Sequence, residues 1–293
     1  MKKQPDRFPR IGLVANTSKP ACRNIIQHAA ELIAKSGRQV AADHATVQFA
    51  SLDIVSHKDT VALSRNTDLL LVAGGDGTIL STARNSAGSP HMIGINAGRL
   101  GFLTTITHKK LPEALEQIWA GNFSIEGRSL IQLEGTLGGK KLKAQAMNDF
   151  VVARGQESRL IELEVRVNGE PLTHYRCDGM IVSSPTGSTA YSLAAGGALV
   201  SPYAKVFMLT PICPHTLSNR SLILSLDSEI EIQLLSRKPD TNVSADGNML
   251  APMQAGESVK IRRSRRTIKL LQIEGQSFFR TLRGKLNWSG AHG

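Results

Sequence analysis

The residues most suited to chemistry form a glycine-rich turn that reads Gly74-Gly75-Asp76-Gly77-Thr78. The turn follows an apolar run typical of a buried strand and opens a helical pattern, so its backbone N–H groups can approach an anion such as phosphate. Asp76 would repel phosphate unless its carboxylate takes a proton, a hydroxyl group or a metal ion. The chain has no GxxxxGK[ST] motif, and the turn lacks the third glycine of the dinucleotide fingerprint. The alternative is a tight turn with a structural role alone.

A second polar segment follows Asp178-Gly179 and spans residues 183–192. One hydroxyl suffices to cap a helix, so the hydroxyls at positions 183, 184, 186, 188, 189 and 192 predict that a polar ligand uses the surplus. They can converge on sugar or phosphate oxygens, and Tyr191 is available to stack on a nucleobase. The alternative is a Ser/Thr-rich loop that caps a short helix and does nothing else.

Strand-like and helix-like patterns must position the first turn. They alternate over residues 11–16, 22–35, 68–73, 78–84, 91–96 and 111–119. Short apolar runs followed by amphipathic helical spacing indicate β-α units. We therefore expect an α/β N-terminal domain with a parallel sheet, in which the glycine turn lies at the carboxyl end of a strand.

Beyond residue 123 the pattern changes to the alternation of polar and apolar residues that is typical of antiparallel strands. The strand-like runs are residues 130–133, 142–147, 150–153, 161–167, 230–234 and 259–261. Asn168-Gly169 lies between two such runs and predicts a tight hairpin. Residues 189–195 have a short helical pattern. This part of the chain is expected to be a mostly antiparallel β C-terminal domain.

The tail from residue 277 to 286 places apolar residues at helical spacing, at Phe278, Phe279, Leu282 and Leu286. We expect this C-terminal helix to return to the N-terminal domain and pack on it. The expected division of the chain is residues 1–124 and 272–293 for the α/β domain and residues 125–271 for the β domain.

The composition is that of a soluble globular protein, with 41% hydrophobic and 20% charged residues in 293. No apolar run reaches the roughly 18 residues of a membrane span, and the N-terminus lacks a signal-peptide pattern, so a cytoplasmic protein is expected. The 35 Lys and Arg against 24 Asp and Glu give a net charge of +11, which fits polyanionic substrates. Cys22, Cys177 and Cys213 lack metal-ligand spacing and are expected to be buried, reduced thiols.

A basic cluster lies near the end of the chain, at Lys260, Arg262, Arg263, Arg265, Arg266 and Lys269. Such a cluster fits a nucleic-acid contact. We favour instead two strands, at residues 259–261 and 268–270, joined by a turn over the RRSRR run. Aromatic residues make up 4% of the chain, which leaves little to stack on bases. No nucleic-acid partner and no membrane partner are expected.

The sequence resembles the NAD kinase family, of the bacterial type, from Ile11 to about Trp288. The resemblance rests on GGDGT at residues 74–78, NAGRLGFLT at 96–104, Asn148-Asp149, Asp178-Gly179 with PTGSTAYS at 185–192, PHTLS at 214–218 and Asp246-Gly247. GGDGT also occurs in lipid kinases of the diacylglycerol and sphingosine type, whereas the PTGSTAYSLAAGG run after a DG pair is highly specific. The resemblance implies transfer of the γ-phosphoryl group of ATP to the 2′-hydroxyl of the adenosine ribose of NAD, which gives NADP.

The resemblance also implies roles for particular residues. Asp76 would be the catalytic carboxylate, and Gly74, Gly75, Gly77 and Thr78 would form the phosphate-donor loop. The residues implied to bind NAD are Asp76, Gly77, Asn148, Asp149, Arg159, Arg176, Asp178, Thr189, Ala190, Tyr191, Ser192, Leu193, Ala194 and Asn248. No metal site made of protein ligands is implied, because Mg²⁺ would be bound mainly through the nucleotide phosphates. A homodimer or homotetramer is usual in the family, and a neighbouring subunit would supply some of the contacts.

The chain departs from the family pattern at three positions. Asp149 is one methylene shorter than the usual Glu of an Asn-Glu pair that holds the adenosine, Asn248 replaces a common Gln, and Ser221 replaces a frequent Pro. These departures affect the assignment of residues to the NAD pocket more than the expected activity. A cationic residue at the position of Arg176 is associated in the family with a preference for NAD over NADH.

Three other functions are alternatives. A GGDGT lipid kinase would show an apolar acceptor entrance or an amphipathic membrane segment and would lack the PTGSTAYS block. A non-enzymatic sensor would keep Asp76 for structure alone. A basic nucleic-acid-binding protein would lose affinity steeply as the salt concentration rises.

Overall fold

The computed structural model of the protein describes residues 7–98, 101–215, 220–238 and 240–288. The chain divides into two compact units, the first made of the residues up to Gly127 and those from Ile268 onward, and the second made of Arg128–Thr267. The domain boundaries expected from the sequence, 124/125 and 271/272, lie three and four residues from these. The predicted classes, α/β followed by mostly antiparallel β, are confirmed.

The first unit is an α/β structure. Up to residue 120 its elements are β1 (Arg10–Ala15), α1 (Ala21–Lys35), β2 (Gln39–Asp43), α2 (His44–Ala50), β3 (Val55–His57), α3 (Thr60–Asn66), β4 (Leu69–Gly74), α4 (Asp76–Arg84), β5 (His91–Asn96), β6 (Thr104–Thr107) and α5 (Leu111–Ala120). The strands pair in parallel in the order β3-β2-β1-β4-β5, and β6 pairs in parallel with β5.

Burial explains why the sequence forms this sheet. Every residue of β4 is buried, as expected for a parallel strand that is covered on both faces. The helix α1 buries one face, with Cys22, Ile26, Ala29 and Ile33 fully buried. These contacts fix the carboxyl end of β4, where the glycine turn begins.

Four elements between residues 39 and 66 were not predicted. The strands β2 and β3 have five and three residues, and the helices α2 and α3 have seven each, which is too short for a clear periodic pattern. Both helices nevertheless begin after an aspartate, a residue type that favours the N-cap position. Asp43 accepts the N–H of Thr46 at 2.9 Å, and Asp59 accepts the N–H of Ala62 at 2.7 Å.

The second unit consists of two antiparallel sheets. The strands are β7 (Phe123–Leu137), β8 (Lys140–Ala146), β9 (Asp149–Arg154), β10 (Ile161–Val167), β11 (Glu170–Cys177), β12 (Gly179–Ser183), β13 (Val206–Ile212), β14 (Leu222–Ser225), β15 (Ile230–Leu234), β16 (Thr241–Ala245), β17 (Asn248–Met253) and β18 (Ser258–Ile273), with the short helix α6 (Tyr191–Ala194) after β12. One sheet has the order β14-β13-β12-β9-β16-β17, and the other includes β11-β10-β15-β18. Buried residues of both sheets, among them Phe150, Phe207, Leu163 and Ile232, share one core.

The predicted hairpin at Asn168-Gly169 is confirmed. Val167 pairs with Glu170 across it, which leaves a two-residue loop. Both loop residues have positive φ, 54° for Asn168 and 84° for Gly169, as the tight turn of a two-residue hairpin requires. The loop therefore sets the register of β10 and β11.

The predicted turn over the RRSRR run is wrong, because β18 continues through it as one strand of 16 residues. Val259, Ile261, Ser264 and Ile268 are buried, and the run contains no Gly, Pro, Asn or Asp to favour a tight turn. Cations between the buried positions pair with carboxylates, as in Arg262–Glu134 at 2.6 Å, Lys260–Glu229 at 3.2 Å and Arg263–Asp227 at 3.8 Å. The alternation was therefore that of a sheet with one buried face.

The predicted return of the tail to the first unit is confirmed. The helix α7 (Phe278–Leu286) begins where the hydroxyl of Ser277 accepts the N–H of Arg280 at 3.2 Å. Its Phe278 ring lies 6.2 Å from that of Phe102, and Leu282 is buried. None of the helices in the described ranges has both the length and the apolar character needed to cross a membrane.

Replacing Leu282 by Ala should lower the free energy of unfolding by about 2 to 5 kcal/mol, because it removes a buried side chain that is 6% exposed. Phe279→Ala is the matched control on the same helix, since Phe279 is 58% exposed, and it should cost less than about 1 kcal/mol. Urea unfolding measures both values. Equal losses in the two variants would show that α7 does not stabilise the unit through its buried face.

Candidate active site

The glycine turn lies at the carboxyl end of β4, as predicted. Gly74 ends the strand, Gly75 caps α4, and Asp76 is the first helical residue. The N–H of Gly75 donates to the hydroxyl of Thr78 at 3.3 Å, and the N–H of Thr78 donates to the carbonyl of Gly75 at 2.9 Å. The remaining N–H groups of the first turn point out of the helix end, where they favour a negative charge.

The carboxylate of Asp76 accepts hydrogen bonds from three successive N–H groups of a neighbouring backbone segment. Its Oδ2 accepts the N–H of Phe102 at 2.7 Å, and its Oδ1 accepts the N–H groups of Leu103 at 3.0 Å and Thr104 at 3.2 Å. The sequence alone predicted a proton, a hydroxyl group or a metal ion as its partner, so these backbone donors are an addition to that interpretation. A carboxylate has about four acceptor positions, so Oδ2 retains capacity for a further donor.

Gly101 is required beside this carboxylate. A Cβ atom at this position would overlap the carboxylate of Asp76, so a larger residue would push the segment away. This accounts for the second glycine of the NAGRLGFLT motif. Arg99 and Leu100 of that motif lie outside the described residues, as do Thr216, Leu217 and Ser218 of the PHTLS motif.

The surplus hydroxyls of the second polar segment are used inside the protein, which corrects the prediction that a ligand uses them. Ser184 donates to the carbonyl of Met147 at 2.5 Å, and Ser188 donates to that of Val200 at 3.1 Å. The hydroxyl of Ser192 lies 3.0 Å from that of Thr210. These serines are fully buried, as is Ser183. Buried hydroxyls need partners, and the backbone supplies most of them.

Residues 183–192, which include the PTGSTAYS segment, pack against the Asn148-Asp149 pair. The carbonyl of Asn148 accepts the N–H of Ser184 at 2.8 Å and the hydroxyl of Ser183 at 3.2 Å. A Cβ atom at Gly187 would overlap the same carbonyl, so the close approach requires glycine. Tyr191, at the start of α6, is 47% exposed and leaves a ring face available. The structure therefore brings Asn148, Asp149 and this segment together.

A second aspartate, Asp246, fixes that pair and was not among the predicted site residues. Its carboxylate accepts the N–H groups of Met147 at 3.1 Å, Asn148 at 2.7 Å and Asp149 at 3.3 Å. Asp246 and Gly247 form the turn between β16 and β17, with φ of 45° and 77°. Their DG dipeptide is a hairpin signal and was the sequence feature that could have identified it. The predicted Asn248 belongs to the same turn, since its side-chain amide donates to the carbonyl of Asp246 at 3.0 Å.

Asp149 is a buried carboxyl group, 3% exposed. Burial and, to a lesser extent, the nearby carboxylate of Asp246 raise the pKa of Asp149 to about 7. The group therefore exchanges its proton near neutral pH. In the protonated form it can donate a hydrogen bond, and in the ionised form it can only accept.

The remaining predicted residues belong to a separate group of contacts. Asp178 pairs with Arg154, whose Nε lies 2.5 Å from Oδ1, and this guanidinium was missed by the sequence interpretation. Arg176 is exposed and lies 3.3 Å from Glu162 across the β10-β11 pair. Arg159 is also exposed, in the loop that precedes β10. No hydrogen bond among the described residues joins Arg159, Arg176 or Asp178 to Asn148 or Asp149.

The cysteines are free thiols. Cys22 and Cys177 are buried as expected, and burial raises the pKa of Cys177 to about 12. Cys213 is exposed, which corrects the expectation of three buried thiols, because it lies just beyond the end of β13. Among the described residues no three His, Cys, Asp or Glu side chains come together as metal ligands.

The pKa of Asp149 predicts a pH-dependent stability. Because the folded protein binds the proton more tightly than the unfolded chain, whose pKa is near 3.8, the contribution of Asp149 is present below about pH 4 and is lost as the pH rises through about 7. The loss should amount to a few kcal/mol. Urea unfolding of the wild type and of Asp149→Asn between pH 4 and 8 measures it, and the Asn variant should gain relative stability as the pH rises.

Asp227→Asn is the control for this series, because the side chain of Asp227 is 85% exposed. It should follow the wild type at every pH. A constant difference between the wild type and Asp149→Asn over the same range would contradict the buried titration.

Two protein family models match this chain, one in each part of the sequence. The ATP-NAD kinase N-terminal domain family matches residues 11–123, and the ATP-NAD kinase C-terminal domain family matches residues 147–273. An NAD kinase of Methylibium petroleiphilum is 37% identical over 98% of this chain and 99% of its own length. An NAD kinase of Nitrosomonas europaea is 39% identical over 97% of this chain and 96% of its own.

Two solved structures have a similar fold. Yeast NADH kinase complexed with NADH superposes with a TM-score of 0.90 at 25% identity, over 99% of this chain and 90% of the yeast chain. An NAD kinase from Archaeoglobus fulgidus in complex with ATP has a TM-score of 0.74 at 24% identity, over 96% of this chain and all of its own, and shows the fold alone. With both family domains matched in order and relatives at this identity over nearly the whole length, the chain belongs to the NAD kinase family.

Proposed function

We propose that this kinase transfers the γ-phosphoryl group of ATP to the 2′-hydroxyl of the adenosine ribose of NAD, and that Asp76 is its catalytic carboxylate. The observation that carries the proposal is the fixed position of Asp76 on the first turn of α4, directly after the glycine turn. Both matched family domains bear the name ATP-NAD kinase, which supports ATP as the donor and NAD as the acceptor.

Phosphoryl transfer requires mainly positioning and charge neutralisation, because its transition state is loose and its charge lies on phosphate oxygens. The loop of Gly74, Gly75, Gly77 and Thr78 would hold the donor phosphates, and the N–H of Gly77 would contact them, because those of Gly75 and Thr78 donate within the turn. Oδ2 of Asp76 would accept the hydrogen bond of the ribose hydroxyl and draw off its proton. Mg²⁺ would enter as part of the donor and neutralise charge, held mainly by phosphates and water.

The second unit would bind the dinucleotide. The backbone of Asn148 and Asp149 is held by Asp246, and the carbonyl of Asn148 also by Ser183 and Ser184, which would preorganise the two side chains for the adenosine. The exposed ring of Tyr191 would stack on a base. The further proposed contacts are Thr189, Ala190, Leu193, Ala194, Arg159, Arg176, Asp178 and Asn248, and the buried hydroxyl of Ser192 would support them from inside the protein. The yeast relative of similar structure was solved with NADH, which supports a dinucleotide as the ligand.

The alternatives receive no support. Family membership and the PTGSTAYS segment argue against a lipid kinase. Three of the six cations of β18 that would contact nucleic acid, Lys260, Arg262 and Arg263, are paired with carboxylates. A homodimeric or homotetrameric state and a cytoplasmic location belong to the same proposal. Light scattering and cell fractionation test them.

The decisive experiment measures NADP formation from NAD and MgATP by the wild type and by Asp76→Asn. The wild type should form NADP. The Asn variant should lose turnover by about 10² to 10⁴, the scale for a positioned acid or base. It should also lose about 1 to 3 kcal/mol of stability, because the amide nitrogen cannot accept the N–H that one carboxylate oxygen accepts now. Calorimetric NAD binding should change little.

Thr104→Val separates the two effects. It removes the hydroxyl that lies 3.4 Å from Oδ1 of Asp76 and accepts the N–H of Gly101 at 3.2 Å, while the carboxylate remains. Stability should fall, and the rate per folded molecule should stay near that of the wild type. Near-normal turnover of folded Asp76→Asn would show that Asp76 is structural.

Arg176 is exposed, as is its ion-pair partner Glu162, so a ligand can reach its guanidinium, and we expect the wild type to phosphorylate NAD with higher catalytic efficiency than NADH. A guanidinium can act through ordered hydrogen bonds as well as through charge. Arg176→Ala should reduce the ratio of the two efficiencies. Arg166→Ala, which removes an ion pair with Glu164 within β10, is the control and should preserve the ratio. Equal efficiencies in the wild type would refute the assignment.

A further inference from the structure

The strand order of the first unit defines where a ligand can enter. The chain runs from β1 outward to β2 and β3, and then returns to place β4 on the other side of β1 and β5 beyond it. The order therefore reverses between β1 and β4. In an open parallel sheet, ligands bind outside the carboxyl ends of the strands at such a reversal. Two loops flank it, the glycine turn after β4 and residues 16–20 after β1.

The loop after β1 is fixed to the glycine turn. The side-chain amide of Asn16 donates to the hydroxyl of Thr78 at 3.2 Å, and its backbone N–H donates to the carbonyl of Ala73 at 2.9 Å. The same residue then orders the loop, because its side chain accepts the N–H of Ser18 at 3.0 Å and its carbonyl accepts the N–H of Lys19 at 3.1 Å. The backbone of Lys19 therefore has a defined place.

The ammonium group of Lys19 lies beside the glycine turn. A Cβ atom placed on Gly75 would be 3.7 Å from its Nζ. Lys19 is exposed, and no carboxylate among the described residues forms an ion pair with it. A cation next to a helix N-terminus is repelled by the partial positive charge there, and among the described residues Lys19 has no ion pair to offset this repulsion. An anion between the ammonium and the first turn of α4 would remove the repulsion.

We propose that Lys19 binds the polyphosphate chain of the phosphoryl donor against the glycine turn. The proposal rests on the function proposed above and adds a residue to it. A P-loop kinase obtains such a cation from the lysine of its own glycine loop, and this chain has no such motif. Here the cation comes from the other side of the strand reversal, and Asn16 holds the two sides together.

The test compares Lys19→Ala and Lys19→Arg with the wild type in NADP formation. In Lys19→Ala the KM for ATP should rise by about 10- to 100-fold, the scale of a lost charge-assisted hydrogen bond, while the KM for NAD changes less than about twofold. Lys19→Arg should recover most of the loss. Lys35→Ala, at the other end of α1, is the matched control and should behave as the wild type. An unchanged KM for ATP, or an equal rise in both KM values, would overturn the proposal.

Calorimetric binding of inorganic triphosphate tests Lys19 independently of the reaction. The wild type should bind it, and Lys19→Ala should bind it at least about tenfold more weakly at low ionic strength. Absence of NADP formation by the wild type would refute the proposed function while leaving this comparison intact. Equal affinity for triphosphate in the two proteins would refute the role of Lys19 whatever the activity.

Discussion

The site in the first unit depends on the hydrogen bonds that the carboxylate of Asp76 accepts from the backbone. The carboxylate accepts N–H groups from three successive residues, Phe102 to Thr104, and so fixes a stretch of chain that has no helix or strand to hold it before β6. A carboxylate held by several donors costs little to keep in place, because each charge-assisted bond is stronger than a neutral one. The same residue can thus shape the site and act in it.

In the second unit Asp246 fixes the backbone in the same way. Its carboxylate also accepts N–H groups from three successive residues, Met147 to Asp149, and presents two side chains beside the PTGSTAYS segment. In both units an aspartate at a tight turn converts an irregular stretch of backbone into a fixed one. In the second unit this arrangement raises the pKa of Asp149, because its carboxyl group is buried and lies near the carboxylate of Asp246.

Sequence patterns predicted most of the architecture, because long elements carry periodic burial. They identified β5 and β10 to the residue, and the two-domain order, and they placed the glycine turn correctly. They failed where local signals oppose tertiary pairing. The cations of β18 suggested a loop, but carboxylates such as Glu134 on adjacent strands pair with them. The serines of residues 183–192 suggested a ligand, but burial made them structural. Asn16, Arg154 and Asp246 act across long sequence separations, which spacing does not show.

The second unit lies within the sequence of the first, since the chain leaves the first unit after Gly127 and returns at Ile268. During synthesis, the residues from Ile268 onward emerge after the whole second unit has left the ribosome. Leu271 and Ile273 belong to the core of the first unit, and Leu282 is buried in it as well. The second unit can therefore fold while the chain is still growing, as domains generally do, whereas the first unit completes its core only after residues 268–282 have been made.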